Sequence, residues 1–158
     1  MKDYYQYFVN KGNHPDKNDI LKQEELRFKA FNQNIARQII QQIIEVAKKY
    51  EKPYASRIIY KDKIIAEYSE LENSTWLSRK EKVCHETKHS SYYIFLDNIQ
   101  SHHYDYMIND ERYGICGGSF PLYEKDVFVG SITFTGLRPQ EDHAVIIQAL
   151  EKIFQEKN

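Results

Sequence analysis

Apolar residues first fall into a regular rhythm shortly after residue 20. Leu26, Phe28 and Ala30 alternate with Arg27 and Lys29, the period of a half-exposed strand, so a short first strand is predicted there. Over residues 34–50, Ile35, Ala36, Ile39, Ile40, Ile43, Ile44 and Ala47 recur at spacings of one, three and four, which winds into one wide helical stripe. Pro53 ends that helix. Two β segments follow over 54–60 and 64–68, and the polar Lys61-Asp62-Lys63 between them predicts an antiparallel hairpin.

Ser74 can take up an orphan amide of a first helical turn, so a second helix is predicted over 75–96. Its inward stripe is Trp76, Lys80, Val83, Thr87, Ser91 and Ile94, with small and polar residues where a plain core helix carries Leu or Ile. That face either packs very closely or lines a pocket. Residues 97–112 are polar and rich in Tyr and His, and read as a loop. Strands are then predicted over 120–123 and 127–134, around a Glu124-Lys125-Asp126 turn, with Gly130 permitting close backbone approach. After Gly136-Leu137-Arg138, Pro139 suits the first position of a last helix. Glu141 and Asp142 suit its positive dipole end, and Ile146, Ile147, Leu150, Ile153 and Phe154 form its buried stripe. The order β-α-β-β-α-β-β-α gives an α+β domain with one antiparallel sheet of five strands covered by helices. Residues 1–20 lack periodicity and read as an N-terminal arm, loose or docked on a partner. The single domain is expected over 21–158.

Composition narrows the function classes. At 158 residues the chain is long enough for one sizeable core. Lys plus Arg number 22 against 23 Asp plus Glu, with no one-signed tail, so no electrostatic footprint for nucleic acid or anionic lipid is present. No apolar run approaches the ~20 residues of a membrane span, and the N-terminus has no signal-peptide core, so a cytoplasmic protein is expected. Two cysteines, Cys84 and Cys116, make no disulfide framework. Thirteen tyrosines, among them Tyr4-Tyr5-Tyr7 and Tyr92-Tyr93, suit contacts between subunits.

Two stretches carry a resemblance. The run GGSFPLYEKDVFVGSITFTGLRPQEDH, residues 117–143, combines a double glycine, a proline-led strand, a turn, a strand with Gly-x-Ile, and a Gly before an acidic helix start. TWLSRKEKV at 75–83, followed by SSYY at 90–93, forms the second. Together they resemble the GlcG/HbpS-like heme-degrading family, in its uncharacterised-protein branch. The resemblance implies a profilin-like three-layer α/β/α arrangement, assembly into homo-oligomers of two or more copies, and a link to heme for some members.

Several residues are candidates for chemistry. Gly117-Gly118-Ser119 can turn backbone amides and a hydroxyl toward an anion; the plainer reading is a strained turn into a strand. His143 lies on the buried stripe in the first turn of the last helix, as a ligand or acid/base, or as a core histidine held by one hydrogen bond. Arg79 and Lys80 can grip a carboxylate such as a heme propionate, or pair with Asp or Glu. His85-Glu86-Thr87-Lys88-His89 has the HExxH form of zinc proteases, but Lys88 is charged and no third ligand follows at a recognisable spacing. The leading expectation is an oligomeric binding protein for heme or another anionic small molecule. The alternatives are a structural protein without a ligand and, less favoured, a zinc hydrolase using His85 and His89.

Overall fold

The computed structural model describes residues 4–156. Its helices are α1 (Tyr4–Val9), α2 (Lys17–Lys22), α3 (Gln33–Ala47), α4 (Trp76–Thr87), α5 (Ser91–Ser101), α6 (Asp105–Ile108) and α7 (Pro139–Glu156). The strands are β1 (Ala55–Tyr60), β2 (Lys63–Ser69), β3 (Ser119–Glu124) and β4 (Val127–Thr135). They form one antiparallel sheet in the order β2-β1-β4-β3.

Among the described residues the sheet has four strands, which corrects the expected five. The 26–30 segment contributes a single parallel bridge between Phe28 and Glu124. Phe28 N–H donates to the Tyr123 carbonyl and Lys125 N–H to the Phe28 carbonyl; then the Glu124 carboxylate takes the Phe31 N–H at 2.7 Å and the chain turns away. Burying Phe28 and Phe31 in the core satisfies the alternation without a ladder.

The single helix expected over 75–96 is two. Lys88 adopts left-handed dihedrals (φ 62°) and donates to the Cys84 carbonyl, closing α4, and Ser90 Oγ accepts the Tyr93 N–H to cap α5. The buried Glu24 carboxylate holds the break open, accepting from Ser90 N–H at 3.0 Å and His89 Nδ1 at 2.9 Å. Ser74 Oγ does accept an amide of the first turn, from Trp76, just ahead of the cap residue Thr75. The 97–112 loop is likewise partly helical: α5 continues to Ser101 and α6 follows. Buried Asn98 fixes this corner, donating to Tyr5 Oη and Asp105 and accepting the Tyr104 N–H.

The two faces of the sheet differ in chemistry. Ile58, Phe120, Leu122, Ile132 and Phe134 face α3 and α7 in the main core, where each fully buried side chain contributes about 1.5–3 kcal/mol. The opposite face presents Ser119, Ser131, Thr133 and Thr135, all buried under α4. Small side chains there explain the polar stripe of α4: the face packs closely. A second core joins Tyr5, Ile20, Tyr92, Ile94, Phe95 and Met107 from α1, α2, α5 and α6. Over its described part, the arm expected to be loose or docked on a partner is two short helices docked on α5; residues 1–3 lie outside the described residues, as do 157–158. Among the described residues no helix is long and apolar enough to cross a membrane.

Candidate functional site

Close packing between α4 and β4 brings Lys80 to the start of α7. Lys80 is 2% exposed, and Nζ donates to Asp142 Oδ2 at 2.8 Å, Thr135 Oγ1 at 3.0 Å and the Phe134 carbonyl at 3.2 Å. All three ammonium donors are thus engaged. Asp142 is equally buried, and its other oxygen accepts the Leu137 N–H at 2.9 Å. Burial raises its pKa to about 6, against the pull of Lys80 and the Leu137 amide.

The double glycine serves this cluster. Gly118 has φ 135°, and a Cβ there would stand 2.5 Å from the Phe134 carbonyl oxygen and 2.8 Å from Lys80 Nζ. A Cβ on Gly117 would run into the Pro139 carbonyl and touch the Tyr92 ring. The glycines therefore admit the ammonium and the start of α7; their approach is filled by the protein itself. Ser119 is fully buried, its N–H donating to Ser91 Oγ and its hydroxyl paired with Thr133 Oγ1 at 2.8 Å.

His143, one residue on, lies against Tyr92 and Phe120 with ring centroids at 5.0 and 6.1 Å. Its Nε2 meets Gln23 Oε1 at 2.6 Å, while Nδ1 is buried and has no hydrogen-bond partner among the described residues. Donation to an amide oxygen assigns the proton to Nε2. Burial pushes its pKa down to about 3, so the ring is neutral. The structure thus brings Lys80, Gly117, Gly118, Ser119 and His143 into one hub. It separates Arg79, whose Nε donates to the Tyr113 carbonyl at 3.0 Å and whose guanidinium covers the Trp76 ring at 3.9 Å.

The HExxH string is not a zinc-protease helix. The left-handed Lys88 ends α4 before His89, which breaks the one-turn spacing the two imidazoles need. His85 Nε2 pairs with Ser131 Oγ at 2.8 Å, His89 with Glu24, and Glu86 accepts from Tyr106 and Tyr113. Among the described residues no group of three or more His, Cys, Asp or Glu side chains could hold a metal. Nor is His85–Ser131 a nucleophile pair with access to substrate, because Ser131 is fully buried.

Sequence reasoning missed two partners and the segment that closes one cleft. Asp142 reads as a helix-start carboxylate, yet it stands four residues before Ile146 on the buried stripe, a spacing that signals an inward position. No local signal points to Gln23, 120 positions away from His143. The cleft, of about 350 Å³, lies where Tyr92 and Phe95 of α5 meet Pro139 and Gln140 of α7. Phe8 and the 11–15 segment close it, including Lys11 and His14.

Comparison with known proteins places this geometry. A family model described as Haem degrading protein HbpS-like matches residues 31–151. A UPF0303 protein of Psychromonas ingrahamii is 32% identical over 141 residues, covering 84% of this chain and 89% of its own. Among solved structures, the Ybr137w protein superposes with a TM-score of 0.80 at 19% identity, over 99% of this chain and 96% of its own. A PduOC–heme complex gives 0.60 at 15% identity, over 77% and 94%. At those identities the two structures speak for the fold. The sheet with its closely packed α4, the glycine turn into β3 and the acidic start of α7 all fall within the matched residues, and the chain belongs to the HbpS-like haem-degrading protein family.

Proposed function

We propose that the chain is a cytoplasmic, homo-oligomeric binding protein for a planar anionic small molecule, with heme the first ligand to test. One observation carries this reading: a domain solved with heme bound shares this fold over 77% of the chain. Exposed Tyr7 and Tyr106, at 56% and 57%, support the oligomer as rings suited to a subunit contact. The domain is taken as 21–158, with 1–20 as its accessory arm.

The hub does not fit heme. Lys80 and Ser119 have their donors engaged inside the protein, Gly117 and Gly118 are filled by neighbouring groups, and His143 is 2% exposed, so its free Nδ1 is beyond the reach of a macrocycle. These residues are positioning residues in this reading: they join α4, β3 and α7 and hold Tyr92 in place. Hemin titration of the purified protein tests the proposal, with a saturable Soret shift as the expected result. Absence of a shift removes heme. The closed hub favours a second reading, a structural protein without a ligand, in which a small-molecule screen by thermal shift stays flat.

A further inference from the structure

We infer that the cleft between α5 and the start of α7 is a ligand site for an aromatic molecule of one or two rings bearing a single anionic group. This rests on the ligand-binding reading above and replaces its open ligand with a smaller class. The family match begins at residue 31, so the segment 8–15 that closes the cleft lies outside it, while Tyr92, Phe95, Pro139 and Gln140 lie within it.

Shape and lining select the class together. At about 350 Å³ the cleft lies at the small end of ligand cavities, which run about 300–1,000 Å³, so it suits an aromatic acid and not a macrocycle. Tyr92 and Phe95 supply its aromatic wall, their rings near-parallel at 19° with centroids 6.3 Å apart. A planar ligand gains offset or edge contacts on such rings. Lys11 is the charged residue of the lining and no carboxylate shares the lining with it; its ammonium lies 4.9 Å from the Tyr7 ring centroid, and it makes no ion pair among the described residues. Asn13 and Gln140 add side-chain amides that can bond the anion or a ring substituent. His14 packs edge-on against Phe95 at 5.5 Å, and its Nε2 meets the Val9 carbonyl at 2.8 Å. That bond puts the proton on Nε2 and leaves Nδ1 as an acceptor for a ligand hydroxyl or N–H.

The closing segment is anchored at both ends. On one side Tyr5 is buried and its hydroxyl accepts from Asn98; on the other Ile20 is buried and Lys17 pairs with Asp97 at 2.8 Å. Between the anchors, Gly12 takes φ 69° in open space, which lets the strap cross the cleft without filling it.

The probe is naphthalene-2-sulfonate, an aromatic monoanion of two fused rings, titrated into the full chain and followed by calorimetry. Saturable binding is expected, weakened about tenfold by Lys11→Glu at low salt, equivalent to ~1.4 kcal/mol, with the difference shrinking at high salt. Gln140→Trp, which fills the cleft, is expected to abolish binding. Both positions are exposed, and an unchanged thermal midpoint checks that each variant folds. Wild-type affinity in either variant, or no binding by the wild type, overturns the inference. Hemin titrated in parallel separates the two claims: a Soret shift in a protein indifferent to the sulfonate sinks the cleft alone, and failure of both probes sinks the ligand-binding reading with it.

Discussion

Replacing Lys80 by Met removes the ammonium and keeps an unbranched apolar stem in the same space. The lost groups are the donors to Asp142, Thr135 and the Phe134 carbonyl, and the Asp142 carboxylate is left buried with the Leu137 N–H alone. Removing one partner of a buried ion pair costs about 3–5 kcal/mol, a large share of a typical domain's stability. The cost depends on pH. Burial already holds the Asp142 pKa above its ordinary value, and losing Lys80 raises it further. An acid whose folded pKa is raised contributes stability below its unfolded pKa and loses it as pH rises through the folded value; in the variant that value lies above the wild type's of about 6, so the variant is weakest on the alkaline side of it. Denaturant unfolding at about pH 8 and about pH 5 measures this, with the larger deficit expected at the higher pH. Adding Asp142→Leu removes the stranded charge and is expected to recover most of the loss, since an apolar pair in place of a buried ion pair is often neutral or stabilising. A Lys80→Met deficit below about 1 kcal/mol at both pH values refutes the positioning role.

Further outcomes follow from neighbouring residues. Burial lowers the His143 pKa to about 3, so its contribution is present above about pH 6.5 and lost as pH falls toward about 3, an acid-side loss of roughly 4–5 kcal/mol. His143→Leu is expected to flatten that part of the stability–pH curve, and a curve unchanged from wild type contradicts it. Gly118→Ala forces a Cβ against the Phe134 carbonyl and Lys80 at φ 135° and is expected to cost about 3 kcal/mol or more; calorimetry showing an unchanged midpoint counts against the close approach. Ser90→Ala removes the cap of α5 and is expected to cost about 1 kcal/mol by denaturant unfolding, with no loss counting against the helix break.

Elements with local causes are legible in the sequence. The 120–123 and 127–134 strands lie within β3 and β4 because period-two alternation spans several residues, and Pro139 marks the start of α7 because its fixed φ suits a first helical position. The break between α4 and α5 is not legible, since the Glu24 carboxylate that stabilises it lies more than sixty positions away. The alternation around Phe28 is too short to distinguish a strand from two rings anchored in a core. At the site, the odd polarity of the α4 face signals Lys80 and its close packing. The identity of its partner does not emerge, because Asp142 also fits the helix dipole. The cleft depends on Lys11 and His14, which sit in an aperiodic stretch placed by tertiary contacts of Tyr5 and Ile20.

The central claim is that the chain binds a planar anion while the Lys80–Asp142 hub serves only as framework. Hemin titration of wild type beside the Lys80→Met/Asp142→Leu double variant, followed at the Soret band, tests it most directly. Saturable shifts of the same affinity are expected in both. A folded double variant that no longer binds contradicts the framework role, and a wild type that shows no shift removes heme as the ligand.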